Sequence, residues 1–217
     1  MISSKTDDLC HSLNPKHVNL NLGCGIWVRK GFINVDKFYT FKQLKEKKGF
    51  FKNAKVEEGA KYIQGDILSL PFEDDYADYI ECNDVIEHIP FRFVFKALEE
   101  MKRVLKPGGK LILVTCDFTS LALEWVYMMS QSEFNPVAYE RLTEVIYGNQ
   151  LNPEEYHRSP MTAVYLGELL SKAGLNYAMV RLLKGQRFNV GTIKMGKHMV
   201  LRNDQLVGII HKPGEVA

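Results

Sequence analysis

The residues best suited to chemistry in this chain follow its first apolar run. The segment VNLNLGCGIW (18–27) places Gly23 and Gly25 one residue apart, and Asp36 ends the next apolar run, FINVD. Glycine allows the backbone to turn sharply and leaves room for a ligand against the main chain. A carboxylate at the end of the second strand can accept hydrogen bonds from both hydroxyls of a ribose. The pattern therefore predicts a site for a ligand that contains a nucleoside.

The spacing within this motif argues against a dinucleotide. A dinucleotide fingerprint has a third glycine where this chain has Val28, and its acidic residue lies about 20 residues further on. Asp36 is much closer than that. A ligand without phosphate, such as S-adenosylmethionine, needs only the glycine turn, the ribose carboxylate and a slot for adenine.

Several polar residues could contact a second substrate or move a proton. Asp117 follows the predicted fifth strand, at the edge where open α/β sheets bind ligands. His157 lies in a polar loop that could close over the pocket, and Tyr147 and Gln150 lead into that loop. His88 belongs to the segment VIEHI. For each residue a structural role, as a helix cap or a hydrogen-bond donor, is the alternative.

The elements that must position these residues alternate between strand and helix. Short apolar, β-branched runs predict strands, a helical spacing of apolar residues predicts a helix over 91–106 that Pro107, Gly108 and Gly109 end, and two further helices follow. Thr162 is the predicted N-cap of another helix, which runs to about residue 173 and which Gly174 ends. The strands are predicted at 18–22, 32–35, 61–64, 78–83 and 110–115, the two further helices at 120–129 and 136–147, and C-terminal β-like runs at YAMVRLL, HMVLRN and QLVGIIH. This order predicts a doubly wound sheet with an antiparallel edge.

The stretch 37–61 reads as an insertion before the third strand. Its sequence FYTFKQLKEKKGFFKNAK alternates aromatic residues with lysines. Such interleaving can bind single-stranded nucleic acid through phosphate contacts and base stacking. The alternative is a short helix with a solvated lysine face and aromatic residues that reach the core. The near-neutral chain favours the second interpretation.

The bulk properties are those of one ordinary globular domain over residues 1–217, with residues 1–16 as an N-terminal extension. Hydrophobic residues make up 46% and charged residues 25%, and the net charge of +2 argues against nucleic acid as a partner. The N-terminal residues lack the apolar core of a signal peptide, and no apolar run could span a membrane. The cysteines show no CxxC spacing, so neither a disulfide framework nor a metal site is expected, and a cytoplasmic location fits. They are Cys10, Cys24, Cys82 and Cys116.

Three segments together resemble the class I S-adenosylmethionine-dependent methyltransferases, of the type 11 kind. They are the glycine turn, IQGDILSLPFEDDYADYIECNDVIEHI (63–89) and EEMKRVLKPGGKLILVT (99–115), which occur in the order typical of that family. IYGNQ (146–150) and HRSPMT (157–162) are similar to a poorly characterised bacterial and phage-type group. The resemblance implies a Rossmann-like, mostly parallel, seven-stranded sheet with helices on both faces.

The resemblance also implies roles for individual residues. Asp36 would bind the ribose, Asp66 and Ile67 the adenine, and the remaining positions the methionine end of the cofactor. These remaining positions are Asn21, Gly23, Cys24, Gly25, Asn83 and Asp84. Asn21 stands where many family members have an acidic residue.

The function expected from the resemblance is methyl transfer to an oxygen or nitrogen of a small-molecule acceptor, with S-adenosylhomocysteine as product. Asp117, His157 and His88 are the candidate catalytic residues, Tyr147 and Gln150 the candidate acceptor contacts, and no metal is expected. The protein is expected to be a monomer or homodimer. Alternatives are a non-catalytic binding protein of the same fold and a methyltransferase that acts on nucleic acid.

Overall fold

Nine strands and five α-helices make up the part of the chain that the computed structural model describes, residues 17–181 and 205–214. The strands are β1 (Asn19–Leu22), β2 (Trp27–Val28), β3 (Ile33–Asp36), β4 (Lys55–Val56), β5 (Lys61–Gln64), β6 (Ala77–Asn83), β7 (Leu105–Cys116), β8 (Asn176–Arg181) and β9 (Gln205–His211). The helices are α1 (Phe41–Glu46), α2 (Phe91–Val104), α3 (Phe118–Met129), α4 (Pro136–Tyr147) and α5 (Ala163–Lys172). Short 3₁₀ turns cover Gly49–Asn53, Ile86–His88 and Pro153–Glu155. None of the described helices is long and apolar enough to cross a membrane.

Seven strands form one sheet in the order β5-β3-β1-β6-β7-β9-β8. Four pairs of strands are parallel: β5 with β3, β3 with β1, β1 with β6, and β6 with β7. Strand β9 pairs antiparallel with both β7 and β8. The predicted doubly wound fold with an antiparallel edge is thus confirmed. The chain order reverses between β1 and β6, and ligands of open α/β sheets bind at the carboxyl ends of the strands at such a point.

The main core lies between one face of the sheet and helices α2 and α5. Residues at helical spacing on α2, including Val94, Leu98 and Met101, are fully buried there with Leu166 and Leu170 of α5. Sheet residues from β1, β6, β7 and β9 complete this cluster. The apolar pattern that predicts α2 is therefore the pattern that buries it.

Helix α1 covers part of the opposite face, and it lies within the predicted insertion. Leu44 of α1 is fully buried in a second cluster with Cys24 and Val28. The ring of Phe41 stacks on Tyr62 of β5, with centroids 5.3 Å apart. Helices thus occupy both faces of the sheet, as expected.

The connection from β1 to β3 contains no helix. Residues 23–32 form turns and the short strand β2, which pairs in parallel with β4 to make a separate two-stranded sheet. Fully buried Asn34 fixes this connection, because its side chain donates to the Arg29 carbonyl (2.8 Å) and accepts from the Arg29 amide (3.0 Å) and from Asn21 (2.9 Å). A short crossover without a helix explains how ten residues can join two parallel strands.

Two other expectations change in detail. Helix α2 ends at Val104 rather than at residue 106, because Leu105 adopts an extended conformation (φ −75°, ψ 131°) and pairs with Ala77. The C-terminal run QLVGIIH forms β9, and β8 covers the start of YAMVRLL. The run HMVLRN and the N-terminal extension 1–16 lie outside the described residues.

Candidate functional site

A cavity of about 340 Å³ opens at the carboxyl ends of β1 and β3, beside the start of the segment that follows β6. Seven of the residues predicted to bind ligand or to act in catalysis line it. These are Gly23, Gly25, Asp36, Asp66, Ile67, Asp84 and His88. The cavity therefore gathers residues from four separate segments of the sequence at the point where the strand order reverses.

The glycine turn forms one wall of this cavity. Gly23 and Gly25 both have positive φ values, +64° and +53°. A Cβ atom on Gly23 would lie 2.3 Å from Cγ2 of Val85, whereas one on Gly25 would meet nothing within 4 Å. Gly23 thus needs glycine for its backbone conformation and for space, while Gly25 needs it for conformation alone.

Asp36 is the carboxylate that fixes this turn. It is 7% exposed, and its Oδ2 accepts a hydrogen bond from the Gly25 amide (2.9 Å). Its Oδ1 accepts from the amides of Phe38 (2.9 Å) and Tyr39 (3.3 Å). Each carboxylate oxygen has about two lone-pair sites, so Oδ2 retains capacity for a donor from the cavity.

Asp66 and Ile67, which follow the end of β5, also line the cavity. Asp66 accepts from the Leu68 amide (2.9 Å) and forms an ion pair with Lys37 (2.7 Å). Partial burial opposes ionisation of Asp66, but the hydrogen bonds from Lys37 and Leu68 outweigh it and hold its pKa below the usual range. Asp66 therefore presents a charged acceptor at neutral pH.

The residues predicted for the methionine end of the cofactor divide into two groups. Asp84 lines the cavity with φ +52°, and its Oδ1 accepts from Gln205 (3.0 Å). Asn21, Cys24 and Asn83 do not line it. Asn21 donates to Asn34 and to the Trp27 carbonyl (3.3 Å), and Cys24 lies in the second apolar cluster.

Asn83 lies at the end of β6, next to Asp84. Its Nδ2 is 3.5 Å from Glu81, and its buried Oδ1 has no hydrogen-bond partner among the described residues. A buried carbonyl oxygen without a donor is costly, so this atom is suited to accept from a bound molecule or water.

Two histidines and a buried glutamate meet beside the cavity. The rings of His88 and His157 are 4.7 Å apart and nearly perpendicular, and Glu87 is 1% exposed next to them. Burial, with the nearby charge of Asp84, raises the pKa of Glu87 to about 8. Burial also lowers the pKa of His88, so its imidazole is neutral at pH 7. Of the two histidines, only His88 lines the cavity.

Asp117, Tyr147 and Gln150 lie away from the cavity wall. Asp117 is fully buried as the N-cap of α3, where it accepts from the Thr119 amide (3.2 Å) and the Ser120 hydroxyl (2.7 Å). Tyr147 ends α4 with its side chain exposed, and its carbonyl accepts from the His157 amide (3.0 Å). Gln150 is exposed with φ +56°. Their predicted roles in catalysis and acceptor binding stay predictions.

The sequence did not single out four further residues that line the cavity. Glu154, Glu155 and Arg158 of the loop after α4 line it, as does Tyr39 of the insertion. The Tyr39 hydroxyl donates to Glu155 (3.3 Å), which joins the loop to the insertion. The polar loop composition was the available signal, but it did not show which side chains face inward.

The charge of the lining is mainly negative. Lys37 and Arg158 are its cationic residues. Its acidic residues are Asp36, Asp66, Asp84, Glu154 and Glu155. Such a cavity favours a ligand that carries positive charge.

Comparisons with known proteins show what the chain is similar to. Residues 20–113 match the family model described as a methyltransferase domain. The chain is 35% identical over 108 residues to the uncharacterised protein MJ0638 of Methanocaldococcus jannaschii, which covers 50% of this chain and 44% of that protein. It is 44% identical over 63 residues to the demethylmenaquinone methyltransferase of Staphylococcus aureus, covering 29% of this chain and 24% of the relative. The chain thus spans less than half the length of these curated relatives.

A solved structure matches over nearly the whole chain. The S-adenosylmethionine-dependent methyltransferase of Methanosarcina mazei aligns with a TM-score of 0.55 and 18% identity, over 94% of this chain and 96% of that one. At this identity the likeness concerns the fold. Residues 20–113 are thus similar to a methyltransferase domain, and the strand order of the described residues agrees with the fold of this neighbour.

Proposed function

We propose that the protein transfers a methyl group from S-adenosylmethionine to an oxygen or nitrogen atom of a small-molecule acceptor. The observation that carries the proposal is the position of Asp36. Its buried carboxylate lies against the Gly23–Gly25 turn, on the wall of an acid-rich cavity at the switch point of the sheet.

The residues present fit this cofactor in size and charge. A cavity of about 340 Å³ lies within the usual range for small-molecule sites, roughly 300–1,000 Å³. Its carboxylates complement the positive charges of the cofactor's sulfonium and amino groups. Oδ2 of Asp36 would accept from a ribose hydroxyl, Asp66 would accept from the adenine amino group, and Ile67 would pack on the adenine ring.

Bound S-adenosylmethionine supplies a methyl group on a positively charged sulfur, which is already activated toward attack by a nucleophile. The main task of this chain is therefore to hold the acceptor in line with that methyl group. Positioning of this kind can lower a barrier by roughly 7–11 kcal/mol. The loop residues Glu154, Glu155 and Arg158 line the same cavity and could contact the acceptor.

His88 is the predicted catalytic residue that reaches the cavity wall. We assign it to contact the acceptor. His157, whose ring packs against that of His88, acts as a positioning residue. His157→Ala should lower turnover and leave the affinity for S-adenosylhomocysteine nearly unchanged.

The structure of the insertion supports a small acceptor over nucleic acid. Tyr39, Phe41 and Phe51 pack onto the second apolar cluster. The lysines of the insertion are exposed, and two of them, Lys42 and Lys45, lie on helix α1. Few of the aromatic rings thus remain available for stacking on bases.

The proposal is tested by incubating the full chain with methyl-labelled S-adenosylmethionine and a small-molecule extract, with RNA and DNA in separate reactions. We expect label in the small-molecule reaction, and its loss with Asp36→Ala. Label in nucleic acid would replace the proposed acceptor class. Binding of S-adenosylhomocysteine without transfer in any reaction would indicate a non-catalytic binding protein.

A further inference from the structure

Three side chains that commonly ligate metals meet beside the cofactor cavity. Glu87, His88 and His157 each offer one donor atom, and these atoms lie within 4.8 Å of one another. Glu87 and His88 belong to the 3₁₀ turn after β6, whereas His157 comes from the loop after α4. The fold thus assembles a two-imidazole, one-carboxylate group that the spacing in the sequence does not reveal.

Two of these three side chains are oriented by hydrogen bonds to residues outside the cluster. Oε2 of Glu87 accepts from the hydroxyl of fully buried Thr115 (3.0 Å). Nδ1 of His88 lies 3.2 Å from the carbonyl oxygen of Tyr156. Because a carbonyl only accepts, Nδ1 carries the proton and Nε2 keeps its lone pair. Metal-binding histidines are usually held in this way by a backbone carbonyl.

The loop that carries His157 is anchored on the same turn. The amides of Arg158 and Ser159 both donate to the carbonyl oxygen of Glu87, at 2.7 and 3.0 Å. The His157 amide donates to the Tyr147 carbonyl (3.0 Å). The backbone therefore fixes the two segments relative to each other, as a preorganised ligand site requires.

We propose that Glu87, His88 and His157 bind one divalent cation of the zinc class at the wall of the cavity. Binding of the ion displaces the proton of Glu87 into solvent. Two imidazoles and the resulting carboxylate suit Zn²⁺, Co²⁺ or Ni²⁺ better than Mg²⁺ or Ca²⁺, which prefer oxygen ligands. Two histidines with one glutamate are also a known catalytic zinc set, which keeps a further coordination position open.

The distances are close to those of an assembled site. Ligand atoms bonded to a tetrahedral zinc ion at about 2.1 Å lie roughly 3.4 Å apart. Donor atoms within 4.8 Å of one another must therefore approach by at most roughly 1.4 Å to reach this geometry. His157 and His88 are only partly buried, so an ion can enter from the loop side.

Since His88 lines the cavity, the open position of the ion faces the space beside the cofactor site. With the ion bound, the ion and not the His88 ring itself would contact an oxygen or nitrogen of the acceptor and polarise it. This role rests on the proposed function, whereas binding of the ion does not.

The test is a titration of the full, tag-free chain with Co²⁺ after chelator treatment and dialysis, without cofactor. We expect one Co²⁺ per chain, seen by its visible d–d absorption, and its displacement by Zn²⁺. His157→Ala and Glu87→Gln should each lower Co²⁺ affinity at least tenfold. His211→Ala is the matched control, because His211 is exposed and pairs with Lys110 at the opposite end of the sheet; it should leave the affinity unchanged.

Thr115→Val is a second test in case the ligand variants do not fold. It keeps all three ligands and removes only the hydroxyl that orients Glu87. We expect it to lower Co²⁺ affinity by about 10- to 100-fold. Absence of Co²⁺ binding, or equal affinity in wild type and His157→Ala, would overturn the inference. Titration of the same samples with S-adenosylhomocysteine separates this failure from a failure of the proposed function.

Discussion

Replacement of Asp36 by asparagine probes the cofactor site with the least change in shape. The side chain keeps its volume and one acceptor oxygen, which can still receive the amides of Phe38 and Tyr39. The other oxygen becomes an NH₂ group that faces the Gly25 amide, so a donor meets a donor where the wild-type distance is 2.9 Å.

The expected magnitude follows from the bonds that are lost. One ribose hydroxyl loses a charged acceptor, which is worth about 1.5–3 kcal/mol, and the affinity for S-adenosylhomocysteine should fall roughly 10- to 150-fold. The unpaired Gly25 amide should separately lower the free energy of unfolding by about 1–3 kcal/mol.

A second aspartate provides the control for the loss of stability. Asp78 accepts from the Val18 amide (2.8 Å) and from Lys106 (2.8 Å) near the start of β6, at the opposite end of that strand from the cavity. Asp78→Asn should therefore destabilise the fold and leave the affinity unchanged. Isothermal titration calorimetry below the melting temperature of each variant measures the affinity, and chemical denaturation measures the free energy of unfolding. Wild-type affinity in Asp36→Asn would refute the assignment of the ribose site.

Two further predictions concern the glycine turn and the pH dependence of stability. Gly25→Ala should lower the free energy of unfolding by about 1–2 kcal/mol, because alanine is strained in a left-handed backbone conformation. Gly23→Ala should lower it by a further 1–3 kcal/mol or so, because Val85 must also move. Equal losses of the two variants on chemical denaturation would contradict this difference. Hydrogen bonds from Arg103 hold the pKa of Glu100 below its usual range. The Arg103–Glu100 pair therefore stabilises the fold fully at a pH above the pKa of Glu100 in the unfolded chain. This stabilisation is lost as the pH falls through the lower pKa of Glu100 in the folded protein. Glu100→Gln should thus lower the free energy of unfolding at pH 7 by about 1 kcal/mol and by less near pH 3, and a loss independent of pH would show that the charge does not matter.

Local patterns in the sequence were sufficient to place most of the fold. The predicted helix over 136–147 has the same bounds as α4, and Asn135 caps it before a proline at its first turn. Thr162 caps α5 by accepting from the Tyr165 amide (3.1 Å), as predicted. These features depend on residues close in sequence, so propensity and capping rules could find them.

The connection after β1 could not be predicted in the same way. Its helix is replaced by a path that depends on Asn34, whose side chain bonds to groups on β1, on the connection and at the start of β5. Each of these bonds joins residues from different elements. A single asparagine in an apolar run of the sequence does not predict such a network of hydrogen bonds.

The candidate site shows the same division between local and long-range information. Gly23, Gly25 and Asp36 follow from a local motif, and all three line the cavity. The meeting of Glu87 with His157 depends on how the loop after α4 folds back over the sheet. Because that contact is made in space and not in sequence, the spacing of ligands along the chain could not indicate it.

The most direct test of the proposed cofactor site is a crystal structure of the full chain with S-adenosylhomocysteine. We predict density for the ligand in the cavity, with a ribose hydroxyl within hydrogen-bonding distance of Oδ2 of Asp36, the adenine beside Ile67 and the sulfur near Gly23. Density for the ligand at another place, or a cavity filled by protein side chains while the ligand is bound in solution, would contradict the assignment of the site.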